Sequence, residues 1–191
     1  MKRVLITGAT SGIGKALAID YAQKDWQVYA CGRNQPILDD LCEHKNIRTL
    51  TFDICDKAQI ADATQALDDL DLLILNAGNC EYIDDAKQFD SELFERVITT
   101  NLIALGYSLA VLLGKIKAGG QLALMGSSAG YLPFSRAEAY GSSKAAVAYL
   151  AKTLAIDLLP EKISVSLICP GFVKTPLTEK NDFKMPMLIT A

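Results

Sequence analysis

The chain has 191 residues, half of them hydrophobic, with 19 basic and 22 acidic side chains and a net charge of −3. At roughly 150 residues per domain this is one domain with room for a sizeable core, and the hydrophobic content excludes intrinsic disorder. The slight acidity and the lack of any Lys/Arg cluster exclude the electrostatic footprint of a nucleic-acid binder.

Apolar runs of strand length alternate with amphipathic runs of helix length. Arg3–Ile6 reads as the first strand, and Gly12–Lys24 as a helix with Ile13, Leu17, Ala18 and Tyr21 at helical spacing. Gln27–Cys31 is the second strand. Pro36 suits a helical first turn and opens a short helix over Ile37–Glu43. Ile47–Phe52 is the third strand, Ala58–Leu70 a helix and Leu72–Leu75 the fourth strand. A long helical stretch covers Ser91–Lys117, is ended by Gly119-Gly120, and gives way to the strand Gln121–Met125. Tyr140–Leu159 is a strongly apolar helix stopped near Pro160, and Ile163–Ile168 is the sixth strand. The tail after Pro170-Gly171 turns irregular, with Met187–Ala191 resembling the entry to a helix.

This alternation implies βαβ units, hence a parallel sheet with helices on both faces. Right-handed crossovers make it a doubly wound, Rossmann-like, three-layer α/β/α architecture. Leu72–Leu75 is apolar on both faces, as a sheet covered twice requires.

No uninterrupted apolar run approaches the roughly 18 to 20 residues of a membrane span, and the N-terminal apolar run is far too short for a signal peptide. The five cysteines, Cys31, Cys42, Cys55, Cys80 and Cys169, are odd in number and form no CxxC motif. They read as reduced, mostly small core residues of a cytoplasmic protein. The one histidine, His44, lies in the polar stretch Glu43–Asn46 and reads as a solvated helix end, so no metal site is expected.

Gly8, Gly12 and Gly14 lie between the first strand and the first helix, in Thr7-Gly8-Ala9-Thr10-Ser11-Gly12-Ile13-Gly14. Glycines there let the backbone approach a pyrophosphate, and the helix N-terminus offers free N–H groups and the positive end of its dipole. The alternative is a plain tight turn. The second strand ends Cys31-Gly32-Arg33-Asn34, without the carboxylate that binds a ribose 2′-hydroxyl, while Arg33 is available to a 2′-phosphate. This favours NADP over NAD, against the alternative of an ordinary surface arginine.

Tyr140 and Lys144 stand at i and i+4 on one helix face. An ammonium beside a phenol favours the phenolate and lowers its pKa, which suits tyrosine for acid–base work near neutral pH. The pair alone is a common spacing. Ser127 lies 13 residues upstream of Tyr140, just past the fifth strand, where ligands of open α/β sheets bind and where a hydroxyl can stabilise a carbonyl oxygen.

Taken together, the glycine turn, Asn76-Ala77-Gly78, Asn101, Ser127, Tyr140-x-x-x-Lys144 and Pro170-Gly171 resemble the short-chain dehydrogenase/reductases, in order and over nearly the whole chain. The resemblance implies Tyr140 as general acid/base, with Lys144 lowering its pKa and holding the nicotinamide ribose. It implies Ser127, in preference to Ser128, as the group orienting the substrate carbonyl, and Asn101 as support for a water-linked proton relay. For the cofactor it implies Gly8, Ser11, Gly12, Ile13 and Gly14 at the pyrophosphate, and Asp53 and Ile54 at the adenine. Asn76, Ala77 and Gly78 would line the cleft, and Pro170, Gly171, Val173 and Thr175 would hold the nicotinamide end.

The expectation is therefore an NADP(H)-dependent oxidoreductase, moving a hydride between nicotinamide and a carbonyl or secondary alcohol, and forming a homodimer or homotetramer. The alternative is a non-catalytic dinucleotide-binding regulator on the same fold. A reductase of carrier-bound acyl thioesters would be a subtype of the first. Residues 1–191 are expected as a single NAD(P)-binding domain lacking the last helix and strand usual in the family, with Gly130–Phe134 lining the substrate pocket or packing as a loop.

Overall fold

A computed structural model describes residues 1–179, 181 and 184–191. Six parallel strands form the central sheet: β1 (Arg3–Thr7), β2 (Gln27–Gly32), β3 (Ile47–Thr51), β4 (Leu70–Leu75), β5 (Ile116–Met125) and β6 (Ser164–Ile168). Their spatial order is β3-β2-β1-β4-β5-β6. The chain starts in the middle, winds outward to β3, then returns to β4 on the other side of β1. This reversal leaves a crevice between the carboxyl ends of β1 and β4, the switch point at which such sheets bind ligands.

Side-chain alternation divides the core between the two faces. Val4 and Ile6 of β1 point to one face with Val28, Ala30, Leu72 and Ile74, beneath α1 (Gly12–Gln23) and α2 (Gln35–Cys42). Leu5 points to the other with Leu73, Leu75, Leu122 and Leu124, beneath α3 (Lys57–Thr64), α5 (Ala104–Leu112) and α6 (Glu138–Asp157). Local chemistry sets the helix starts. The Asn34 side chain accepts from Ile37 N–H at 3.3 Å, and Asp56 caps α3 by accepting from Ala58 and Gln59 N–H at 2.9 and 3.1 Å.

Several boundaries differ from the sequence reading. The helix expected over Ala58–Leu70 closes at Thr64, whose hydroxyl donates back to Ile60 O, and Leu70 already belongs to β4. The long helix expected over Ser91–Lys117 is α4 (Ser91–Ile98), a π-helical turn (Thr99–Ile103), α5 and a 3₁₀ turn ending at Lys115. Gly119-Gly120 lies inside β5 rather than ending the helix, beside a register shift between Leu70 and Leu72 of β4. One 18-residue window within Ser91–Lys115 is long and apolar enough to match a membrane span by length and composition alone, although polar residues such as Thr99, Thr100 and Asn101 interrupt it. In the fold this stretch lies against the sheet and α6, with Leu93, Val97, Leu105 and Leu112 buried.

The tail also departs from expectation. Val173–Lys174 (β7) and Ile189–Thr190 (β8) form a small parallel pair, anchored by Ile189 N–H donating to Phe172 O at 3.0 Å. Met187–Ala191 therefore leads into a strand, not a helix. Backbone pairing to the segment after Pro170-Gly171 decides this, a contact that no local pattern encodes. Of the five cysteines only Cys31 is buried; Cys42, Cys55 and Cys169 are exposed and Cys80 is half-buried, which corrects their reading as core residues.

Candidate active site

The ends of β1 and β4 are locked together by side chains. The Thr7 hydroxyl accepts from the N–H groups of Asn76 and Ala77 at 3.0 and 3.2 Å, and Asn76 Nδ2 donates to Thr7 O at 3.0 Å. Thr7 was not singled out by sequence; its signal is only that a hydroxyl residue ends the first strand. From there Gly8 turns the chain at φ +68°, a conformation that side chains rarely tolerate. Gly14 meets the turn from the first helical turn of α1: a Cβ on it would lie 2.3 Å from Gly8 O. The helix start is thereby pressed against the strand end. The Ser11 side chain makes no capping hydrogen bond, so the first-turn N–H groups of α1 remain available to an anion.

This turn floors a cleft of about 460 Å³ along the sheet's carboxyl edge. Gly8, Ser11, Gly12 and Ile13 line it at the turn, and Asn76, Ala77 and Gly78 at the end of β4. Pro170, Gly171, Val173 and Thr175 enclose it from the segment after β6. Arg33, Asp53 and Ile54 line one stretch of it, and Ser127, Tyr140 and Lys144 another. Two residues expected at the site stand behind it: Gly14, whose part is the close approach to Gly8, and Asn101, which is 3 % exposed. Thr10, Cys55, Asn79, Thr100, Leu177 and Thr178 also line the cleft and were not anticipated, since only the folded chain brings these turns together.

At the β2 end, Arg33 Nη1 lies 3.1 Å from Asp53 Oδ2, with the Arg33 side chain 75 % exposed. The carboxylate missing from β2 is thus supplied from beyond β3 and engaged by the arginine. Burial works against the Asp53 charge, but the Cys55 N–H and the Arg33 guanidinium hold its pKa below the usual range.

Tyr140 and Lys144 share a face of α6, with Lys144 Nζ 5.7 Å from the Tyr140 ring centroid. Burial depresses the Lys144 ammonium to about 8; it donates to Met125 O at 2.8 Å. The expected lowering of the tyrosine is not what this site shows. Burial pushes the Tyr140 phenol up, and its hydrogen bond with Ser127 only partly offsets this. The ammonium sits over the ring and is spent on a carbonyl, so desolvation prevails and the phenol holds its proton at neutral pH.

Asn101 occupies the π-helical turn, the kind of widened turn that often marks functional sites. Its Oδ1 accepts from Asn79 N–H at 2.8 Å; its Nδ2 donates to Asn79 O at 2.9 Å and to Ser143 Oγ at 3.0 Å. Ser143, fully buried and missed by the sequence reading, donates in turn to Tyr140 O at 2.7 Å. Asn101 thus ties the loop after β4 to the helical turn that carries Tyr140 and Lys144. Of the expected pocket segment Gly130–Phe134, Phe134 lines a smaller cavity beside Ser127 and Tyr140, while Tyr131 and Leu132 point to solvent.

The cleft fits a dinucleotide. The N-terminal turn of α1 is uncapped, and the buried acceptor Asn79 Oδ1 has no protein partner among the described residues.

Comparison with known proteins agrees with this geometry. The sequence model of the family described as short chain dehydrogenase matches residues 2–185. An uncharacterized oxidoreductase of Myxococcus xanthus is 33% identical over 98% of this chain and 78% of its own length. The NADP-dependent 3-hydroxy acid dehydrogenase YdfG of Salmonella typhimurium is 33% identical over 89% of this chain and 72% of its own length. The closed form of serine dehydrogenase complexed with NADP+ superposes with a TM-score of 0.86 at 31% identity, covering 93% of this chain and 75% of that one.

Proposed function

As the chain belongs to the short-chain dehydrogenase/reductase family, an NAD(P)-dependent oxidoreductase acting on CH–OH and C=O groups, we propose that it takes NADP(H), with Tyr140 as proton donor in carbonyl reduction. The observation that carries the reading is the convergence, in one cleft, of an uncapped helix start behind a glycine turn with Ser127, Tyr140 and Lys144. The NADP preference rests on Arg33, an exposed guanidinium lining the same cleft as the turn. Two similar proteins, the Salmonella enzyme and serine dehydrogenase, carry NADP in their descriptions.

The N–H groups of Gly12 and Ile13 would hold the pyrophosphate, with Gly14 keeping the turn close behind them, Arg33 at a 2′-phosphate and Asp53 and Ile54 at the adenine. Asn76, Ala77 and Gly78, with Pro170, Gly171, Val173 and Thr175, would enclose the nicotinamide half. When bound, the cofactor supplies or accepts the hydride. Ser127 would hold the substrate oxygen, and Tyr140, neutral because it is buried, would give that oxygen its proton. Lys144 would hold ribose hydroxyls and, through its charge, stabilise the phenolate left when the proton is given. Asn101 and Ser143 fix the turn on which both stand.

Exposed apolar side chains on α6, Tyr149 and Ile156, support self-association through that helix, to be read by light scattering. Fluorescence titration of the cofactor-free protein with NADPH and NADH tests the main proposal. Tight NADPH binding with NADH at least tenfold weaker is the expected result; equal affinities would overturn the role given to Arg33, and no binding of either would overturn the cleft assignment.

A further inference from the structure

The guanidinium assigned to the 2′-phosphate already has an anion beside it. Arg33 Nη1 lies 3.1 Å from Asp53 Oδ2, and both residues line the cofactor cleft. The two partners are held very differently. Asp53 Oδ1 accepts from Cys55 N–H at 2.9 Å, and the Asp53 N–H donates to Gln59 Oε1 at 3.0 Å. Gln59 stands in the first turn of α3, where its Nε2 donates to the capping Asp56 at 3.0 Å. Burial works against the Asp53 charge, yet the Cys55 N–H and the guanidinium keep the carboxylate ionised at neutral pH. Arg33, by contrast, follows the last residue of β2 with its side chain 75 % exposed. It also stands beside the glycine turn. Ala9 N–H donates to Cys31 O at 2.9 Å, and the Thr10 methyl lies against Gly32, where a Cβ would come within 2.5 Å of it. The carboxylate is fixed, and the arginine is the partner free to turn from it to a phosphate.

Resting on the cofactor reading above, we infer that Asp53 is a specificity-determining residue: it competes with the 2′-phosphate for Arg33, and so holds the preference for NADPH over NADH below what the arginine alone would give. NADH leaves the Arg33–Asp53 pair intact, whereas NADPH must draw the guanidinium off the carboxylate. Any contact between Asp53 and the adenine is common to both dinucleotides and cancels in the ratio of their affinities. Exposed ion pairs are weak and screened by salt, so the restraint amounts to a few fold and is largest at low ionic strength.

The test is fluorescence titration with NADPH and NADH, at low ionic strength, of the parent protein, Asp53→Asn, Arg33→Ala and the double variant. Asparagine keeps an oxygen for the Cys55 N–H and removes only the charge, so the turn before α3 is retained. The quantity read is the ratio of the Kd for NADH to that for NADPH. Asp53→Asn should raise this ratio at least about threefold over the parent, the range an exposed ion pair contributes. The same substitution made on Arg33→Ala should raise it less than about twofold, because the contested guanidinium is gone. A smaller rise in the single variant, or a fall, overturns the inference. A rise of about twofold or more without Arg33 also overturns it, since the carboxylate would then act on the phosphate directly. The parent titration judges the cofactor reading separately. A parent that binds both dinucleotides alike overturns the preference proposed above, while the change in ratio still decides the competition. A parent that binds neither overturns the cleft assignment and this inference with it.

Discussion

Replacing Lys144 with methionine should make the cofactor-free protein more stable near neutral pH while abolishing turnover. The ammonium is buried, 5 % exposed, and its pKa falls from 10.5 in the unfolded chain to about 8. At about 1.36 kcal/mol for each tenfold change in proton affinity, that fall corresponds to about 3 kcal/mol by which folding disfavours the charged form. Methionine has similar length and no charge, but it leaves Met125 O without the donor now at 2.8 Å, a loss of about 1–3 kcal/mol. The net expectation at pH 7 is a gain of about 0–2 kcal/mol. The pH dependence is the sharper signature. With a depressed folded pKa, the unfolded chain binds more protons between about 8 and 10.5, so the stability of the parent protein rises with pH across that window and is lost as pH falls through about 8. The variant lacks this rise. Urea denaturation of both proteins, without cofactor, from pH 7 to 10 should show the variant's advantage shrinking by about 2–3 kcal/mol and changing sign. Groups that titrate alike in both proteins cancel in the difference. A difference constant with pH within about 0.5 kcal/mol would refute the burial argument.

Other outcomes follow from the same geometry. Tyr140→Phe should leave NADPH binding within about twofold and lower kcat by about 10²–10⁴, the usual contribution of a general acid; unchanged turnover would remove the proton from Tyr140. Gly14→Ala drives a methyl to 2.3 Å from Gly8 O, so the turn must open; binding of either dinucleotide should fall at least about tenfold, and calorimetry with unchanged affinity would contradict the close approach. Arg33→Ala should weaken NADPH about 10- to 100-fold and NADH little, as expected for a charge-assisted contact worth about 1.5–3 kcal/mol. Ser143→Ala removes the link between Asn101 and Tyr140 O and leaves a buried donor unpaired; a loss of about 1–3 kcal/mol should lower Tm by roughly 2–12 °C in scanning calorimetry.

The fold was legible because its signals are local. Each strand is a short apolar run whose alternate residues, Val4 and Ile6 against Leu5, find cores on opposite faces. Boundaries failed where a distant contact decided them. Leu70 joins β4 because it pairs with Ile116 of β5, and Ile189 becomes a strand residue because Val173 is its partner. The exposed Cys42, Cys55 and Cys169 were misread because composition cannot say which small residues the sheet covers.

Sequence alone determined the βα alternation, the glycine turn and the shared face of Tyr140 and Lys144, since backbone periodicity within a few residues dictates all three. Tertiary structure decided what those groups experience. The pKa of Tyr140 and Lys144 is set by solvent excluded from every side, with Met125, Ser127 and Cys80 arriving from separate strand ends and loops. Asn101 reaches Ser143 across 42 residues through a widened helical turn, and Arg33 meets Asp53 across 20. Desolvation and long-range pairing depend on the whole packed chain, whereas spacing along it records only which residues can share a face.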